Sequence, residues 1–64
     1  MYTKGDIVRI LMRRDNISKS EAISCINNCQ ADIDYAVERG NYEEAEDALY
    51  YWLGLELDYL MCFL

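Results

Sequence analysis

The chain has 64 residues, more than half of them apolar, with no proline, no histidine and a net charge of −6. That length supports one small domain at most, here residues 1–64, and the apolar share argues against disorder. The negative charge argues against nucleic acid and anionic membrane as default partners, and no apolar run approaches the roughly 18 residues that span a bilayer.

The predicted elements begin with a capping box at Thr3 and Asp6, with Tyr2 and Ile7 placed as its hydrophobic staple. A helix follows over about 4–14. Ile7, Ile10 and Leu11 share its inner face, flanked by Val8, while Arg9 and Arg13 point outward. Arg13 and Arg14 stand at its C-terminal end, where the macrodipole favours cations. A second capping box, Ser18 and Glu21 with Ile17 and Ala22 as staple, opens a helix over about 19–39. Its inner stripe is Ala22, Cys25, Cys29, Ile33 and Ala36, widened by Ile26 and Val37, and Gly40 suits the left-handed position after its end.

Asn41 and Glu44 form a looser third cap. The run that follows, NYEEAEDALYYWLG, interleaves acids and aromatics. On a helical wheel Tyr42, Ala45, Ala48, Leu49, Trp52 and Leu53 fall on the core side. Tyr50, Glu43, Asp47, Tyr51 and Glu44 fall opposite. Gly54 ends the helix, because a straight continuation would bury Glu56. A short fourth helix then carries Leu57, Leu60 and Leu64 on one side; the alternative is one bent helix to residue 64. Short connections at 15–17 and 40–41 imply antiparallel neighbours. The predicted fold is all-α, a small three-helix bundle with a short fourth C-terminal helix.

The charge is unevenly divided. Residues 1–19 carry a net +3 from Lys4, Arg9, Arg13, Arg14 and Lys19 against Asp6 and Asp15, and residues 20–64 carry −9. Lys4, Asp6 and Arg9 interrupt any signal-peptide pattern, so the three cysteines are expected to be reduced thiols in a cytoplasmic protein. Cys25 and Cys29 lie four apart on the apolar stripe. With Cys62 they give three ligands where tetrahedral zinc takes four, so core packing is the expectation, with no metal and no cofactor. With no histidine, no glycine-rich phosphate loop and no distinguished carboxylate pair, the chain is not expected to be an enzyme.

Three resemblances accompany these readings. TKGDIVRILMRRDNISKSEA resembles the opening helical hairpin of the histone-like HU family, over about a third of the chain. That family continues into strands and basic arms, whereas this chain turns acidic, so no DNA-binding function carries over. ERGNYEEAEDAL resembles the turn of a tetratricopeptide repeat in Gly40, Tyr42 and Ala45, although one hairpin makes no array and Trp52 stands where that repeat wants alanine. In style the chain resembles the small acidic helical proteins of phages and mobile elements, which implies an inhibitor or nucleic-acid mimic.

The like-charged pairs Glu43/Asp47 and Asp34/Glu38, each four residues apart, cost helix stability without an internal reason. Tyrosines beside acids suit a cationic partner, through ion pairs and cation–π contacts. The expected partner-binding residues are therefore Asp34, Tyr35, Glu38, Glu43, Glu44, Asp47, Tyr50 and Tyr51, facing a basic protein surface such as that of a nucleic-acid-binding protein. The alternatives are self-assembly, as a homodimer or larger, through the LMCFL tail and outer aromatics, and nucleic-acid binding by the Arg9/Arg13 face.

Overall fold

The computed structural model describes residues 2–64, which form three α-helices, α1 (Lys4–Asp15), α2 (Lys19–Glu38) and α3 (Tyr42–Leu53), and a C-terminal 3-10 helix (Leu57–Phe63). No strand occurs among the described residues.

The helix starts follow from capping chemistry. Thr3 and Ser18 each accept the backbone N–H three residues on, and Asp6 and Glu21 each accept the cap residue's own N–H. Asn41 accepts the Glu44 N–H, but the Glu44 carboxylate takes the Asn41 side-chain amide rather than its backbone. The third cap is thus half a box. α2 ends in a Schellman motif, in which the Asn41 N–H donates to Ala36 O (2.8 Å), the Gly40 N–H donates to Val37 O (2.9 Å), and Gly40 has φ 72°. α3 ends at Gly54, whose N–H closes the last helical bond to Tyr50 O and whose φ of 62° turns the following chain out of the helix. The Arg14 guanidinium lies against Gly54, placing a cation at the negative end of the α3 dipole.

One core holds the elements together. Ile7 and Leu11 enter it from α1, Ala22, Ile26, Cys29, Ile33 and Ala36 from α2, and Ala45, Leu49 and Leu53 from α3. α2 is the central helix and packs most extensively on α3. A turn of only three residues, 39–41, joins α2 to α3, and the two helices pack on each other, so they form an antiparallel hairpin. The shortest dimension of the molecule is 15 Å.

Several side chains depart from their sequence-based places. Tyr42 is 58% exposed rather than in the core, standing at the first residue of α3. Trp52 is only half-buried, its indole N–H donating to Asp32 at 2.6 Å. The Tyr2 ring stacks on Tyr59, with centroids 4.2 Å apart. In the tail, Leu57 and Leu64 are exposed, and Leu55 and Phe63 are buried instead. The reason is the period. A 3-10 helix eclipses residues three apart, so Leu60 aligns with Phe63, where an α-helical spacing would select Leu64; Leu57 falls on the same line but is exposed at the first residue of the 3-10 helix, and Leu55 is buried ahead of it.

Candidate acidic groove between two helices

A shallow groove runs between α2 and α3, lined by Asp32, Tyr35, Glu44, Asp47, Ala48 and Tyr51. Its position follows from the wheel. On α2 the buried stripe is centred on Ile33, and Asp32 and Tyr35 lie on the flank that turns toward α3. On α3 the stripe is Ala45, Leu49 and Leu53, and Ala48, Glu44 and Tyr51 follow in order on the flank toward α2. Ala48 is small, so it forms the floor without closing the cleft. Tyr35 and Tyr51 stand on opposite walls and are 59% and 78% exposed. The Tyr51 ring is braced edge-on by Trp52, with centroids 5.3 Å apart.

The electrostatics are one-sided. Asp32, Glu44 and Asp47 bring three carboxylates to a short cleft. The ion pairs among the described residues are Arg9–Asp6, Arg14–Asp15 and Arg39–Glu44, none of which engages Asp32 or Asp47. Arg39 sits at the rim. It pairs with Glu44 at 3.0 Å, and its guanidinium lies 5.0 Å from the Tyr35 ring centroid. One wall therefore already holds a guanidinium between a carboxylate and a tyrosine face, the arrangement inferred for recognition of a cation.

Of the eight residues expected to bind a partner, Tyr35, Glu44, Asp47 and Tyr51 line this groove together. The other four do not. Asp34 lies on the opposite flank of α2, where it accepts a hydrogen bond from Gln30, and Glu38 follows it one turn on. Glu43 and Tyr50 are exposed on the flank of α3 away from α2. A helical wheel tells inside from outside but does not say which flank faces the neighbouring helix. Asp32 is the residue that sequence reasoning missed. The signal was Trp52, whose indole N–H needs an acceptor when partly buried, and an acid on the facing helix supplies it.

Two further places carry polar chemistry. Gln30 joins three elements: its side chain accepts from Lys4 (2.6 Å) and donates to the Phe63 carbonyl (2.8 Å) and to Asp34 (2.7 Å). Cys29 is fully buried, and burial together with nearby Asp32 pushes its thiol up to about 11. Cys25 and Cys62 are half-buried free thiols. No group of three or more metal-binding side chains comes together among the described residues, and none of their helices is long and apolar enough to cross a membrane.

The fold and groove define an all-α helical bundle with an acidic, tyrosine-walled cleft. No protein-family model, curated protein or solved structure matches the chain.

Proposed function

We propose that this chain is a non-enzymatic interaction module that receives a cationic segment of a partner protein in the α2/α3 groove. The observation that carries the reading is the convergence of Asp32, Glu44 and Asp47 between the exposed rings of Tyr35 and Tyr51. An arginine or lysine side chain entering there would gain carboxylate partners and two aromatic faces in one step. Arg39 would act as an internal competitor, because it already occupies Glu44 and the Tyr35 face. In its finer form, the module is an inhibitor of a nucleic-acid-binding protein, presenting carboxylates to a surface built for phosphates. The net charge of −6 supports that form.

Titration with an oligo-arginine peptide tests the reading, followed by the fluorescence of Trp52, the one tryptophan in the chain, which is bonded to Asp32. Saturable binding is expected. Asp47→Lys and Tyr51→Ala should each weaken it about tenfold, the effect of losing about 1.4 kcal/mol. Arg39→Ala should tighten it by freeing Glu44. Glu43→Lys, outside the groove, should act only through net charge and so change affinity less. Equal losses from Glu43→Lys and Asp47→Lys would reduce the binding to unspecific charge attraction and overturn the groove.

A further inference from the structure

Tyr2 is the common wall of two other shallow grooves. One runs along α1 and is lined by Tyr2, Asp6, Arg9, Ile10, Met12 and Arg13. The other crosses the 3-10 helix and is lined by Tyr2, Leu57, Asp58, Met61 and Cys62. Apolar side chains stand in water on both sides of Tyr2, with Met61 75% and Leu57 55% exposed and Met12 beside them. Grouped exposure of this kind, unlike single scattered residues, marks an interaction face.

The two sides of this face differ in charge. The α1 side holds Arg9, Arg13 and Asp6. Asp6 is paired with Arg9, and Arg13 has no ion-pair partner among the described residues, which leaves a net positive side. The groove on the 3-10 side is lined by Asp58, two residues from Glu56, and by no cation, the nearby Lys4 being engaged with Gln30 and the Phe63 ring. A face that is apolar at its centre, basic on one side and acidic on the other is its own complement. A two-fold axis through the centre lays the basic side of one copy on the acidic side of the next and packs the apolar centres together. An unrelated partner would need the same bipolar pattern, whereas a second copy has it by construction.

We propose that the occupant of this face is a second copy of the chain, in a two-fold dimer in which Arg13 of each copy faces Asp58 of the other across the Tyr2, Leu57 and Met61 centre. The dimer shares no residue with the α2/α3 groove, so it stands or falls separately from the function proposed above.

Sedimentation equilibrium of the full chain, from micromolar to millimolar concentration, provides the test. A monomer–dimer equilibrium is expected. Met61→Glu should leave the helical circular dichroism and melting unchanged and abolish the dimer, with Leu57→Glu as the second variant should the first unfold. Arg13→Asp and Asp58→Arg should each weaken the dimer about two- to thirtyfold, because each breaks both symmetry-related copies of an exposed ion pair, and the double variant should restore it. That pair of reversals also separates the contact from net charge, because Asp58→Arg lowers the overall negative charge and would tighten a dimer governed by repulsion alone. A monomer at every concentration, a dimer indifferent to Met61→Glu and to Leu57→Glu, growth beyond a dimer, or a double variant no better than the single ones would each overturn the proposal.

Discussion

The α2/α3 hairpin and the seam between α1 and the 3-10 helix close the same core in different ways. In the hairpin, Cys29, Ala36 and Ala45 are fully buried, and the Cys29 thiol approaches the Ala48 carbonyl to 3.7 Å. Small side chains bring the two backbones close, and the longer polar ones are left along the rim. At the seam, large groups meet with part of their surface in water. Tyr2 stacks on Tyr59, the Lys4 ammonium lies 5.3 Å from the Phe63 ring centroid, and the Cys62 thiol donates to the Tyr2 carbonyl. Close helices leave a narrow cleft edged by carboxylates, whereas a loosely closed seam leaves apolar surface outside. In this molecule the packing mode of each region sets the kind of contact it offers.

The largest effect should come from the hairpin core. Leu49→Ala is expected to cost about 2–5 kcal/mol, a loss that a 64-residue bundle of marginal stability can hardly absorb. Phe63→Ala should cost less, because the short 3-10 helix can fray and let the site relax. Paired urea melts measure both, and a greater loss at Phe63 would invert the comparison. Gln30→Ala cuts the link among α1, α2 and the 3-10 helix and is expected to cost about 1–2 kcal/mol, the sum of its modest net hydrogen bonds. It should also raise hydrogen exchange at the C-terminal helix ahead of α3, an order that exchange mapping by NMR reads directly.

Trp52→Phe keeps a ring beside Tyr51 but removes the bond to Asp32, for about 0.5–1.5 kcal/mol in chemical melts. A further effect appears only at alkaline pH. The folded state keeps the Cys29 thiol protonated up to about 11, while the unfolded chain releases that proton around its ordinary 9.0. Stability from this group is therefore complete below the unfolded value and declines as pH rises toward the folded one. Cys29→Ala should melt with a shallower alkaline slope than wild type, and thiol labelling of the native protein should reach Cys29 after Cys25 and Cys62. On the acid side, the Thr3 N–H lowers Asp6 and Arg14 lowers Asp15. Their small contributions are present above the usual carboxylate range and are lost as pH falls through the lowered values.

Much of the fold was legible because caps and periodicity are local. Thr3, Ser18, Asn41, Gly40 and Gly54 each act through backbone groups within a few residues, and their helices begin and end where that chemistry places them. The misread positions depended on something farther away. Tyr42 falls on the core side of its wheel, yet at the first residue of α3 it stays exposed. The tail's buried face turned on a choice between helical periods that its apolar residues satisfy equally well. The eight candidate binding residues lie outside the core, but their division between flanks was set by where α2 and α3 meet. Gln30 and Asp32 gave no local signal, since the role of each is a bond to another element.

The central claim is that four of the expected residues, with Asp32, act as one cation-receiving groove. The most direct measurement is an amide and indole NMR titration of the labelled protein with an oligo-arginine peptide at moderate salt. The account predicts saturating shifts confined to Asp32, Tyr35, Arg39, Glu44, Asp47, Ala48, Tyr51 and the Trp52 indole, with Asp34, Glu38, Glu43 and Tyr50 nearly unmoved. Shifts spread over all the acids in proportion to their exposure, or none in the groove, would contradict it.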